Sequence, residues 1–308
     1  MIQVAGSSSV ARAELAEIGR CRRLRTSPVR LKGAAKAVIL KVMGSVCSRS
    51  RPNPNEVLVL CYHSVPSRPA FAAQMSIIAQ TAYPVLSVSD FVAWLDGSRS
   101  FQSPAILLTF DDGYRDQLEN AVPVLEAHGF PAVFFIVSGY VGRHAAWCEE
   151  FSSRCVPALP LMDDRELIEL SRSGYAVGAQ TQTHPRLSRL PPHEVEREVA
   201  GTRLALEDLL GREVDLFCYP YGDYDSVATR VVREAGFKLA FTVERGFVRR
   251  GDDPYLLRRV AVLGEPQGSE FRAYLSGVIL DYWNVRNQLP ASGGSASFLS
   301  AQSRRRNG

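Results

Sequence analysis

The sequence predicts an α/β fold: a parallel sheet of about seven strands covered by helices, a strand count that suits a distorted or incomplete (β/α) barrel. Three observations predict it. From residue 57 onward, short apolar runs alternate with segments of helical length and polarity. Several of the helical segments stop at a glycine, the usual residue just past a helix C-terminus. The polar signatures of the chain fall just after apolar runs, at the strand ends where such a barrel carries its functional groups.

In chain order, the turn-rich stretch Arg51-Pro52-Asn53-Pro54-Asn55 separates an arm from a body. Val57-Leu58-Val59-Leu60 opens the body as a buried strand, 57–61. A helix is expected over 89–96. Ala105-Ile106-Leu107-Leu108 gives a strand, 105–110, and a helix over 116–128 ends at Gly129. A strand at 131–137 leads to a helix at 164–173, and Ala176-Val177-Gly178-Ala179 marks a strand at 175–179. The helix at 192–210 has the clearest limits, with Pro191-Pro192 ahead of Glu194 and Glu196 and a stop at Gly211. Val214-Asp215-Leu216-Phe217 gives a strand at 214–219, and the helix at 225–235 ends at Gly236. Strands at 239–243 and 257–262 and a helix at 269–280 complete the set. The expected domains are a basic N-terminal arm, 1–52, partly helical or disordered; a catalytic body, 53–284; and a disordered basic tail, 285–308, rich in Ser and Gly.

The 308 residues carry a formal net charge of +4, unevenly placed. Residues 1–52 hold eleven Lys or Arg against two acidic residues, and 285–308 add four Arg and no acid. A net of −9 is left for the body. A nucleic-acid-binding domain carries its basic patch on a folded face, so no nucleic-acid partner is expected. The basic arm is a candidate for peripheral contact with an anionic membrane surface, with solvated disorder as the alternative. The best early apolar run, Ala37-Val38-Ile39-Leu40, is broken by Lys41, lacks a small-residue cleavage site and is too short to span a bilayer. A cytoplasmic or membrane-peripheral location is expected rather than secretion. Six cysteines show no Cys-x-x-Cys spacing; Cys61 and Cys218 read as small buried hydrophobes, and Cys148 and Cys155 are expected reduced.

Thr109-Phe110-Asp111-Asp112-Gly113 carries the most chemistry. Two adjacent carboxylates at the end of an apolar strand are costly to desolvate unless something uses them. One carboxylate could bind a cation while its neighbour acts as a base toward water on that cation. A turn in which Asp caps a following helix is the structural alternative. Tyr62-His63, Thr183-His184-Pro185 and Tyr219-Pro220-Tyr221-Gly222 likewise follow apolar strands.

With these residues the chain resembles the polysaccharide deacetylases of carbohydrate esterase family 4, which carry the nodulation-type deacetylase domain. The resemblance spans roughly His63 to Val262. It implies hydrolysis of N-acetyl groups on a polysaccharide or oligosaccharide substrate with N-acetylated sugars, assisted by a divalent metal ion, zinc in the first instance. Asp111 takes the position of the base and Asp112 that of a metal ligand. The remaining ligands of the family come from an H-[ST]-x-x-H segment. Here Gln180-Thr181-Gln182-Thr183-His184 keeps His184 and places Gln180 where the first histidine would be. An amide oxygen is a weaker zinc ligand than imidazole, so Gln180 reads either as a ligand or as a hydrogen-bonding residue of a sugar pocket. Residues four apart in an extended strand are about 13 Å apart, so Gln180 and His184 cooperate only if the chain turns between them.

The late L-x-H acid of the family is absent, since no histidine follows His193. Leu60-Cys61-Tyr62-His63-Ser64-Val65 instead resembles the early Tyr-His branch that includes poly-N-acetylglucosamine deacetylases, which makes His63 the expected acid. Tyr221 is expected to bind the oxyanion through its backbone amide. Adjacent strand residues point to opposite faces, so at most one of Arg258 and Arg259 can orient Asp111; Arg259 is taken as the candidate. Trp147 is a candidate for stacking on a sugar ring, with packing as the alternative. The alternative function is a catalytically impaired carbohydrate-binding protein on the same fold.

Overall fold

The computed structural model describes residues 53–147 and 159–288. The arm 1–52, the tail beyond 288 and the Cys148–Cys155 segment lie outside the described residues, as do the expectations placed on them. The strands are β1 (Glu56–Tyr62), β2 (Ala105–Phe110), β3 (Val133–Ile136), β4 (Ala176–Ala179), β5 (Leu216–Cys218), β6 (Leu239–Arg245), β7 (Val248–Arg249) and β8 (Leu257–Ala261). Seven of them are parallel in the order β2-β3-β4-β5-β6-β8-β1, and β1 pairs back onto β2 to close a barrel. These seven are the seven apolar runs of the sequence. Short β7 adds an antiparallel edge to β1. Pairing is uneven around the wall: six residue pairs join β1 to β2, whereas Ala179 opposite Phe217 is the one pair between β4 and β5.

Alternation along each strand divides the apolar residues between two layers. Val57, Val59, Leu107, Phe135, Leu216 and Phe241 share one cluster within the barrel. Leu58, Leu60, Ile106, Leu108 and Phe134 pack in the other, against the helices. Strands buried on both faces read as unbroken apolar runs, which is why they stand out in the sequence. Phe91 and Trp94, from α2 (Val88–Leu95), join the interior cluster.

The other helices are α1 (Arg68–Ala79), α3 (Val122–His128), α4 (Asp164–Arg172), α5 (Pro192–Leu210), α6 (Ser226–Glu234), α7 (Gly268–Leu275) and α8 (Val278–Gln288). Helix α1 has no counterpart among the expected segments. Phe71, Gln74, Met75 and Ile78 fall at i, i+3, i+4 and i+7 on one face, but Gln74 interrupts that face and Ala72, Ala73 and Ala79 blur its contrast with the others. The helix expected over 116–128 is a π-helical turn, Gln117–Ala121, running into α3. Pro123 has no N–H to offer the Glu119 carbonyl, and the Arg68 side chain donates to that carbonyl instead. The helix expected over 269–280 breaks at Ser276-Gly277 into α7 and α8, and α8 runs to Gln288, past residue 284. Among the described residues no helix is long and apolar enough to cross a membrane.

Candidate active site

The inward positions at the C-terminal rim of the barrel are polar. Asp111, just past β2, and Arg259, on β8, are 2% and 1% exposed. Arg259 Nη1 donates to Asp111 Oδ1 and Nη2 to Oδ2, each at 2.7 Å, a bidentate charge-assisted pair. Arg259 Nε donates to the Thr242 carbonyl at 2.8 Å, which fixes the guanidinium. Arg258 faces the other way, toward Asp252 at 3.4 Å, as alternation requires. Cys61 Sγ and Cys218 Sγ lie 3.3 and 3.6 Å from Asp111 Oδ2. Burial pushes both thiols well above their ordinary range against the opposing pull of Arg259, so they stay protonated and donate.

His63 follows β1 with its side chain 49% exposed, and its Nε2 is 4.0 Å from Asp111 Oδ2. Gln117, in the π-helical turn, is wholly buried. Its Nε2 donates to the His63 carbonyl at 3.0 Å and the Asp111 carbonyl at 2.6 Å, pinning the ends of β1 and β2 together.

Asp112 faces a different set of partners. Its φ of +73° swings it away from the strand direction. Its backbone N–H donates to Gln180 Oε1 at 2.9 Å, and Gln180 Nε2 donates back to Asp112 Oδ1 at 3.0 Å. His184 Nε2 lies 3.1 Å from Gln180 Nε2 and 3.4 Å from Asp112 Oδ1. Burial pushes the Asp112 carboxyl up, but the bond and charge of His184, the charge of His63 and a bond from Tyr114 outweigh it, holding Asp112 down at about 2.

The chain does turn between Gln180 and His184. Thr181 and His184 have φ of +64° and +61°. Glu198, on α5, holds the turn: Oε2 accepts the N–H groups of Gln182 and Thr183 at 2.9 and 2.8 Å, and Oε1 accepts the Thr183 hydroxyl at 2.7 Å. Two glycines hem it in. A Cβ on Gly139 would sit 2.5 Å from the Gln182 carbonyl oxygen, and one on Gly201 would sit 2.2 Å from Gln182 Nε2. The His184 ring stacks on Trp147 at 4.7 Å between centroids and meets the edge of Tyr221 at 4.6 Å. Trp147 is therefore engaged by His184 and, edge to face, by Tyr140. Tyr221 has φ of +58°. Among the described residues the four non-glycine positions with positive φ are Asp112, Thr181, His184 and Tyr221, all at this rim. Such strain persists only where the surroundings over-determine it, and it concentrates at functional sites.

The donor set decides whether a divalent ion fits. Asp112 and His184 offer a carboxylate oxygen and an imidazole nitrogen, but Gln180 presents its NH2 to both, because its oxygen is taken by the Asp112 N–H. An NH2 group is a donor and ligates nothing. Cys61, His63 and Asp111 also bring ligand-type atoms within 4.8 Å of one another. There Arg259 already compensates the carboxylate and stands 3.1 Å from Cys218 Sγ, so a second cation is disfavoured. As folded, neither group is built as an ion cage.

Motif and alternation thus find Asp111, Asp112, His63, His184 and Arg259, and the structure brings them to one rim with Gln180 and Tyr221. Gln117 and Glu198 were missed. The one available signal was that each is a polar residue on an otherwise buried helical face. Cys61 and Cys218 are buried as expected, but their contact with Asp111 is additional.

Residues 98–240 match the family model for polysaccharide deacetylase. The Bacillus subtilis (strain 168) protein YxkH is 25% identical over 232 residues, 73% of this chain and 78% of that one. A poly-β-1,6-N-acetyl-D-glucosamine N-deacetylase of Staphylococcus aureus (strain MRSA252) is 24% identical over 206 residues, 64% of this chain and 67% of that one. Among solved structures, IcaB from Ammonifex degensii superposes with a TM-score of 0.62 at 26% identity, over 73% of this chain and 98% of that one. Residues 98–240 thus carry a polysaccharide deacetylase domain, and the likeness to proteins named as deacetylases supports an amide-hydrolysing enzyme.

Proposed function

We propose that the chain removes N-acetyl groups from a polysaccharide or oligosaccharide containing N-acetylhexosamine units, with Asp111 as base and His63 as acid. The carrying observation is the pairing at the rim: a buried carboxylate locked by Arg259 with an accessible imidazole 4.0 Å away. A base and an acid on either side of one point suit attack by water followed by protonation of the departing amine. Similarity to the S. aureus and A. degensii proteins supports the substrate class.

Asp111 accepts the proton of the attacking water. Its Oδ2 meets three donors, while Oδ1 accepts one hydrogen bond and keeps a lone pair. Arg259 keeps the carboxylate ionised and aimed. Gln117 sets the separation of base and acid by tying the His63 and Asp111 carbonyls together. His63 then protonates the amine, and the backbone amide of Tyr221 stabilises the developing oxyanion. Enzymes of this family generally depend on a metal, whose chemistry would be polarisation of the acetamide carbonyl. As folded, the donor set of Asp112, His184 and Gln180 does not fit an ion.

Acetate release from N-acetylglucosamine oligomers tests the proposal. Asp111→Asn lowers turnover per folded protein by about 10²- to 10⁴-fold, because an amide cannot take the proton. Near wild-type release by this variant removes Asp111 as base. Wild-type protein that binds the oligomers and releases no acetate establishes the second reading, a binding protein, which the wrong polarity of Gln180 favours.

A further inference from the structure

Asp112 Oδ1, His184 Nε2 and Gln180 Nε2 form a triangle with edges of 3.4, 3.1 and 3.0 Å. Neighbouring ligands about 2.1 Å from a shared ion lie about 3.0–3.4 Å apart, so the triangle has the dimensions of an ion site. Its third vertex has the wrong polarity. The orientation of the Gln180 amide is dictated by its partners. The Asp112 N–H needs an acceptor, so Oε1 faces it; the Asp112 carboxylate only accepts, so the nitrogen faces that. Turning the amide over would set donor against donor and acceptor against acceptor. The amide nitrogen therefore donates to Asp112 Oδ1 and stands 3.1 Å from His184 Nε2, so a donor group and not a lone pair occupies the third vertex.

A second observation is independent of Gln180. A metal-bound imidazole almost always donates its other N–H to a carboxylate, a carbonyl or water, which fixes the ring and raises its basicity. His184 Nδ1 is buried and has no hydrogen-bond partner among the described residues. Stacking on Trp147 and Tyr221 orients the ring instead.

We propose that Asp112, Gln180 and His184 form a hydrogen-bonded replacement for an ion site, in which the Gln180 amide bridges the carboxylate and the imidazole and keeps a divalent ion out. The inference stands apart from the reaction proposed above, because its readout is the metal content of the protein itself.

The test uses the full chain, purified without chelator and analysed by plasma mass spectrometry and zinc titration. The wild type holds far less than one ion per chain, and chelator leaves its melting temperature unchanged. Gln180→Glu keeps the shape of the side chain and puts an acceptor at the third vertex; Gln180→His puts an imidazole there. Each binds zinc at least about 100-fold more tightly than the wild type, and chelator lowers the melting temperature of the loaded variant. Adding Asp112→Ala to either abolishes the gain. One equivalent of metal in the wild type, removed by Asp112→Ala, overturns the proposal. So does failure of both folded variants to gain zinc. Gln180→Glu covers the case in which the imidazole is too large for the cleft. Absence of acetate release in a metal-free wild type overturns the reaction and leaves this inference standing.

Discussion

Asp111 and Asp112 are neighbours in sequence, are 2% and 5% exposed, and are compensated in opposite ways. Asp111 looks into the barrel and meets a full positive charge from β8, with two thiols beside it. Asp112, turned by its left-handed backbone, meets a neutral amide and an imidazole from the loop after β4. The first carboxylate is held by charge, the second mainly by hydrogen bonds. A charge pair in so dry a place fails badly when one partner goes. A hydrogen-bonded cluster loses less, and it changes ligand preference when a single atom changes polarity.

The largest expected effect breaks the charge side of this contrast. Arg259→Leu leaves Asp111 buried and unpaired and costs about 3–5 kcal/mol of stability, read from the midpoint of denaturant unfolding. A cost below about 1 kcal/mol would mean that the thiols alone, or protonation, satisfy the carboxylate.

The Asp112 side is sharpened by acid. Its folded-state pKa of about 2 lies below the usual carboxylate value, so the stabilisation is present above about pH 4 and is lost as pH falls toward 2. In Asp112→Asn that segment of the acid-unfolding curve flattens, with roughly 2 kcal/mol of pH dependence gone. An unchanged slope between pH 4 and 2 would place the acid sensitivity elsewhere.

The smallest effect concerns the thiols. Cys61→Ala removes one weak donor from Asp111 and a small buried volume, and costs about 1 kcal/mol by the same unfolding measurement. A cost matching that of Arg259→Leu would show that the thiol, and not the guanidinium, carries the carboxylate.

The same division governs how much could be read in advance. The seven barrel strands were legible because burial on both faces writes continuous apolar runs; alternation limited the Asp111 partner to one of Arg258 and Arg259, and the structure shows that it is Arg259. His63, Asp111 and His184 were legible as motif residues at strand ends. Gln180 was legible as a departure, but its polarity was not. Which end of an amide faces a carboxylate depends on a backbone N–H 68 residues away in the chain. Helix α1 was hidden because a glutamine interrupts its buried stripe and alanines on the other faces weaken the contrast. The π-helical turn was hidden because it depends on Pro123 and on a carbonyl capped by a distant arginine.

The two glycines that flank the loop after β4 set the order in which this rim can change over evolutionary time. Gly139 and Gly201 leave no clearance around Gln182, and Glu198 fastens both neighbouring amides. The loop backbone is thus fastened by Glu198 and closely approached by Gly139, which holds His184 in place. Residue 180, by contrast, precedes the loop, and its side chain can be exchanged with the backbone left in place. A substitution at residue 180 would swap the group at one vertex while the scaffold stays fixed. Chains that differ at this vertex can differ in chemistry while remaining almost superimposable in backbone.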